Sequence, residues 1–290
     1  MKLVTHNDRF HADDVFATAA LRLLLGEKIT EIVRTRDEEV FKTADIIYDV
    51  GGEYNQAENK FDHHQAGYDE ARENKIPYSS FGLIWKKWGA EICGSQEAAD
   101  IIDEKLVQVI DAHDNGFPTH EKIDESYSSY SVDGMIASFG PTWQEDDDFD
   151  TRFFDAVDFV SQILNREILG AQHALLAVPL LQKAYERAED KRIIELDQYI
   201  PFGKFFRDRE EVLYVVSPNK EKTQWRVVVL QEAKFVNRKD LPETWAGLRM
   251  EELQKVTGVD DATFCHRGLF LAVAKSKDGA LQLAKLALKD

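Results

Sequence analysis

Cysteine is scarce in this chain: there are two among 290 residues, Cys93 and Cys265. A single possible pair makes no disulfide framework, and the separation fits no metal or redox spacing, so a reducing compartment is expected. Positive charge is also short, with 36 Lys and Arg against 53 Asp and Glu and a formal net charge of -17. Such a surface repels polyanions. It argues against a long duplex held along a basic face and leaves room for a short strand, or for a phosphate neutralised by bound metal. No stretch approaches the roughly 18 apolar residues that a membrane span requires. The opening MKLVTHND passes directly from a short apolar run to His, Asn and Asp, with neither a signal-peptide core nor a cleavage motif. These absences predict a cytoplasmic protein with no membrane partner.

What remains is the composition of a folded globular chain, 43% hydrophobic and 31% charged. Met1–Thr5 reads as a buried strand, and Asp13–Leu25 as a helix with Val15, Phe16, Ala19 and Leu23 at core spacing before Gly26. Glu31–Arg34, Glu38–Thr43 and Ile46–Val50 continue as strand, helix and strand, the last stopped by Gly51–Gly52. This alternation predicts a parallel sheet. Helical periodicity follows at Phe81–Trp88 and Ala98–Ile110, then in two helices at Asp150–Ile168 and Ala171–Arg187. The acidic run Glu145–Asp150 is read as a solvated loop without a role. From Arg192 the pattern becomes strand-like, at Arg192–Leu196, Val212–Val216, Arg226–Leu230 and Leu269–Val273, before a final helix at Gly279–Leu288. The expected fold class is α/β: a parallel-sheet, metal-carrying domain over residues 1–190 and a smaller α+β substrate-binding domain over 191–290, closing on a cleft between them.

Five of the eight histidines fall in the first 115 residues: His6, His11, His63, His64 and His113. Imidazole beside carboxylate suits a divalent transition metal, and bridging carboxylates suit a pair of ions for phosphoryl transfer. The first cluster, THNDRFHADD from Thr5 to Asp14, lies between a strand and a helix, where ligands bind in open α/β sheets. Helix capping accounts for one of its aspartates but not for two histidines as well. In the second, Asp49 ends an apolar strand before Gly51–Gly52; alone it would read as a turn, but beside the first cluster it reads as a bridging ligand. The third is Asp62-His63-His64. Successive side chains on a strand face opposite sides, so one histidine is a ligand candidate and the other a substrate-facing one, with Asp62 able to orient an imidazole. The fourth, DAHDNG from Asp111 to Gly116, offers Asp111 or Asp114, which spacing alone does not separate because both lie on one helix face.

Taken in order, these elements resemble the DHH phosphoesterase superfamily. More closely, THNDRFHADD, RTRD, DVGGEY, FDHHQ, SSFGLIW and DAHDNG, with LPETWAGLR and FCHRGLFLA further on, are similar to the melanocyte-proliferating-gene (Myg) family of metal-dependent 3′–5′ RNA exonucleases. The resemblance implies two divalent ions, Mn²⁺ or Mg²⁺. By motif, His6 and His11 would hold the first ion, Asp13 and His63 the second, and Asp49 both, with Asp111 the choice for the last ligand and Asp114 close behind. One extra residue and a His in place of an Asp depart from the superfamily's HxxxDxD, and imidazole favours softer ions. The same resemblance implies that His64 contacts the phosphate and that His266 and Arg267 of FCHRG form a phosphate-gripping loop. Ser79, Ser80, Arg34 and Arg36 are further positioning candidates, each equally open to a capping or loop role.

The expected catalytic residues are thus Asp49, His63 and His64, acting through a two-metal-activated water. The expected partner is RNA or a short oligonucleotide, with a homo-oligomer left open. The alternatives are a hydrolase of small nucleotides or pyrophosphate-type compounds, and a non-catalytic metal- or ligand-binding module.

Overall fold

A computed structural model describes residues 1–118, 130–233 and 235–290. The chain divides into two compact units, Met1–Gln172 and His173–Asp290. The division falls inside a helix, ahead of the position near residue 190 that the change in sequence character suggests.

In the first unit, four short strands, β1 (Lys2–Thr5), β2 (Glu31–Arg34), β3 (Ile46–Tyr48) and β5 (Lys60–Phe61), lie parallel, and β4 (Tyr54–Asn55) runs antiparallel at the edge, in the order β2-β1-β3-β5-β4. Between β1 and β2 runs α1 (Ala12–Leu25), and α2 (Glu38–Phe41) precedes β3. The central strand β3 and the Leu3–Val4 stretch of β1 are apolar and buried, as expected of parallel strands covered on both faces, whereas the edge strand β2 carries Glu31 and Arg34 at its ends. Every residue of α1 from Ala12 to Leu21 is buried, so the two acids of its first turn, Asp13 and Asp14, have no access to bulk water. Phe16 of α1 meets Phe81 of α3 (Ser80–Cys93) at 5.5 Å between ring centroids. Burying each ring contributes about 1.5–3 kcal/mol.

The helical run predicted from Ala98 extends further at both ends, as α4 (Gln96–Ile102), a π-helical turn at Asp103–Val107 and α5 (Gln108–Asp114). After α6 (Val132–Ala137), a single 39-residue helix, α7 (Phe149–Arg187), replaces the two helices expected on either side of Gly170. A glycine costs a helix only about 1 kcal/mol relative to alanine, and the buried Leu164, Ile168, Ala171 and Ala177 keep one face anchored across it.

The second unit carries a five-stranded sheet in the order β11-β12-β8-β7-β6. Its strands are β6 (Ile193–Glu195), β7 (Tyr214–Pro218), β8 (Trp225–Val229), β11 (Ala262–Cys265) and β12 (Leu271–Ala274), antiparallel except for the β6–β7 pair. The remaining elements are α8 (Gly203–Phe206), a β9–β10 pair (Gln231–Ala233, Val236–Asn237), α9 (Met250–Thr257) and α10 (Lys277–Lys289). Trp245, Leu253 and Leu283 join the apolar residues of the sheet in its core. No helix among the described residues is long and apolar enough to cross a membrane.

Candidate metal centre

Three parallel strands end at the same sheet edge, and the chain places a histidine or aspartate just beyond each. His6 follows β1, Asp49 follows β3, and Asp62-His63-His64 follows β5. Asp49 has φ +55, a left-handed conformation that aspartate tolerates better than most residues. Gly51 and Gly52 also have positive φ, so the loop turns sharply without side chains crowding it.

The carboxylate of Asp49 lies at the centre of the cluster. Its Oδ2 is 3.1 Å from His6 Nε2, and its Oδ1 is 3.3 Å from His63 Nε2. Ser80 Oγ, at the start of α3, donates to Oδ1 at 3.2 Å. His63 Nε2 also lies 3.7 Å from Asp13 Oδ2 and 3.3 Å from Asp114 Oδ2. The first turn of α1 supplies Asp13 and also Asp14, whose Oδ1 accepts the His11 backbone N–H at 2.9 Å while Oδ2 stands 3.3 Å from His6 Nε2. Potential ligand atoms lie within 4.8 Å of one another in four sets: His6, His11 and Asp49; Asp49, His63 and His64; His11, Asp13 and Asp114; and Asp13, Asp14 and Asp49. His64 is held differently. Its Nδ1 bonds Asp62 Oδ1 at 2.8 Å, and its side chain is 62% exposed.

A family model, MYG1_exonuc, described as an uncharacterised protein family (UPF0160), matches residues 2–288. The chain belongs to this family. It is 31% identical to the MYG1 exonuclease of Rattus norvegicus, over 99% of this chain and 84% of that protein. It is 30% identical to the human MYG1 exonuclease, over 99% and 85% of the two chains, and 30% identical to a MYG1 protein of Schizosaccharomyces pombe, over 99% and 97%.

In this MYG1-family chain the two aspartates at the end of α5 have different surroundings. Asp111 is fully buried: Oδ1 accepts from Ser79 Oγ at 2.6 Å and from the Gly82 N–H at 3.1 Å, and Oδ2 accepts from Arg72 Nη1 at 2.6 Å. Its carboxylate is saturated by α3 and by Arg72, which also pairs with Asp103. Asp114, one turn later, is the one beside His63. Asp114, and not Asp111, therefore stands among the candidate ligands. Gly82 is required by the same contact, since a Cβ there would lie 2.0 Å from Asp111 Oδ2. Arg34 is likewise structural: it pairs with Asp150 at 2.6 Å, donates to the Asp8 carbonyl and stacks on Phe153. Ser79 serves Asp111, whereas Ser80 serves Asp49. Asp14 and Arg72 were not foreseen from sequence; Asp14 is visible only as one more acid at a helix start.

His266 and Arg267 belong to the second unit, in the turn between β11 and β12. His266 Nδ1 accepts the Gly268 N–H at 2.9 Å and its ring lies 4.3 Å from that of Phe270, while Arg267 is exposed. Trp245 is buried, and Trp225 and Phe270 pack on the same core.

Asp13 Oδ1 and Oδ2, Asp14 Oδ2 and His63 Nε2 are buried without a hydrogen-bond partner among the described residues. Unpartnered buried carboxylate oxygens are costly. Together with the imidazoles they form a donor set that fits divalent cations. Burial, reinforced by Asp49, Asp114 and Asp14, pushes Asp13 well above the usual carboxylate range. Burial raises Asp14 to about 7 against the opposing pull of His6. For His6 burial acts downward, but the Asp49 hydrogen bond and the charges of Asp14 and Asp49 outweigh it and bring the imidazole to about 9. At Asp49 burial acts upward, but the adjacent His6 and His63 imidazoles outweigh it and hold the carboxyl below the usual range.

These shifts fix the pH dependence of the metal-free protein. Asp14 binds its proton more tightly folded than unfolded, so stability falls as pH rises from its ordinary 3.8 to about 7. The stabilising charge of His6 is fully present below its ordinary 6.5 and is lost as pH passes about 9. Bound cations replace those protons, so Mn²⁺ is expected to raise the unfolding temperature more at pH 8 than at pH 5. Thermal scans at both values, with metal and with chelator, test this; an increment that does not grow with pH contradicts it.

Proposed function

We propose that the chain is a metal-dependent phosphodiesterase of DHH type, an exoribonuclease acting in the 3′–5′ direction on RNA or short oligonucleotides. The observation that carries the reading is the buried cluster beyond three parallel strands, where Asp13, Asp14, Asp49 and Asp114 meet His6 and His63 with carboxylate oxygens left unpartnered. Four carboxylates balance the charge of two divalent ions. The exonuclease names of the rat and human relatives support nucleic acid as the substrate.

Asp49, with one oxygen toward His6 and the other toward His63, would be shared between two ions, Mn²⁺ or Mg²⁺. His6 and His11 would complete one site; Asp13, His63 and Asp114 would complete the other. Bound there, the metals supply an activated water and charge stabilisation at the phosphate. Ser80 fixes the rotamer of Asp49 through its hydrogen bond. Asp62 accepts from the N–H groups of Gly52, His63 and His64, so it joins the loop after β3 to the loop after β5. By taking His64 Nδ1 it leaves the other ring nitrogen for a nonbridging phosphate oxygen, and this hydrogen bond leads the influences that raise the His64 pKa. A protonated imidazole there neutralises phosphate charge. We assign His266 and Arg267 to phosphate contact as well, on the strength of the FCHRG motif and the exposed guanidinium.

The test compares 3′-hydroxyl oligoribonucleotides with mononucleotide esters, in Mn²⁺, in Mg²⁺ and in chelator. The reading predicts stepwise loss of nucleotides from the 3′ end that chelator abolishes. Release from mononucleotides alone would move the substrate to small nucleotides, and metal retention with no product from either would leave a binding module.

A further inference from the structure

We infer that Arg9 and Arg36 form a second phosphate subsite beside the metal centre, so that the substrate is a nucleic-acid end bearing a phosphate next to the one cleaved; this rests on the phosphodiesterase reading above. Both arginines line a cavity of about 470 Å³ together with His6, His11, Asp49 and His64. That volume is within the range of small-ligand sites, roughly 300–1,000 Å³.

The two guanidiniums differ from the other arginines around the site. Arg34 is paired with Asp150, Arg72 with Asp103 and Asp111, and Arg22 with Asp158. Arg9 and Arg36 are exposed and make no hydrogen bond, ion pair or ring contact among the described residues. In a chain with 53 acidic residues, two unpaired cations on one cavity wall stand out as a local source of positive charge. The acids that share the wall do not cancel them: Asp49 is engaged by His6 and His63, and Asp62 by His64 and three backbone N–H groups, which leaves Asp8. Gly51 and Gly52 present only backbone to the same space.

The cleaved phosphate is already matched by the cations of the metal centre and by His64. Two further guanidiniums, whose planar forks suit phosphate oxygens, call for a further anion. In a polynucleotide the adjoining phosphate supplies it at a fixed spacing. A mononucleotide ester has none. The subsite also reconciles a strongly acidic protein with a polyanionic substrate, because attraction is confined to the one or two phosphates that enter the cavity.

The test measures kcat/KM in Mn²⁺ for a dinucleoside monophosphate and for the same dinucleotide carrying one more phosphate at its 5′ or its 3′ end. Wild-type protein is expected to favour one of the phosphate-bearing substrates by about tenfold or more, the scale of charged hydrogen bonds. In Arg9→Gln/Arg36→Gln that preference is expected to fall to near unity, with Arg36→Lys recovering part of it. Circular dichroism checks that the variants are folded, as expected for exposed side chains. A wild-type enzyme that cleaves all three substrates equally, or a double variant that keeps the wild-type preference, overturns the subsite. Failure of wild-type protein to cleave any of them overturns the phosphodiesterase reading, and the subsite with it.

Discussion

Replacing Asp49 with asparagine is expected to lower phosphodiester turnover by about 10³-fold, beyond the 10–100-fold typical of losing an outer-shell partner at a metal site. Asparagine is the informative replacement because Asp49 sits at φ +55, where asparagine is also tolerated and alanine is strained. The variant therefore keeps the turn and the size of the side chain and removes only the charge. That charge is the one both His6 and His63 face, and it is the carboxylate held most firmly ionised in the cluster. Metal content of the purified variant is expected to fall together with turnover. Undiminished turnover in a folded Asp49→Asn protein would remove this residue from the chemistry.

The second large effect is on stability and separates the two aspartates of α5. Asp111→Ala takes away the acceptor for Ser79, for the Gly82 N–H and for one side of Arg72. Breaking a buried ion pair from one side costs about 3–5 kcal/mol, and the lower end is expected here because Arg72 retains Asp103. Asp114→Asn is expected to behave in the opposite way. Burial raises the Asp114 pKa, so without metal its negative charge opposes folding, and neutralising it should leave metal-free stability unchanged or higher. What it should lose is metal affinity and turnover. Urea unfolding in chelator alongside manganese titration distinguishes the pair; a stable Asp111→Ala protein with impaired metal binding would reverse the assignment.

The contrast between these aspartates also shows where sequence reading stops. His6 and Asp49 were legible because each follows an apolar strand, and parallel strands bring their carboxyl ends to one edge; His63 was legible from the Asp-His-His string itself, the two-residue β5 before it being too short to read. Asp111 and Asp114 share a helix face, and what separates them is Arg72, 39 residues away on a loop with no local signal of its role. Asp14 was hidden for another reason: an acid in a first helical turn is ordinary, and only the burial of the whole turn makes its free oxygen exceptional. In the second unit four strands were visible from their β-branched runs. β11 was not, because its four residues, Ala262–Cys265, hold no Val, Ile or Leu and lead directly into the turn at His266. The division of the chain at residue 172 was also beyond reach, since it lies within α7, where no loop composition marks it.

The central claim is that these buried carboxylates and imidazoles are a metal centre, and anomalous diffraction from manganese-soaked crystals addresses it most directly. The account predicts two peaks among the ligand atoms of His6, His11, Asp13, Asp49, His63 and Asp114, with Asp49 in contact with both and Asp111 with neither. Crystals soaked at saturating manganese that show no peak within this cluster would contradict it.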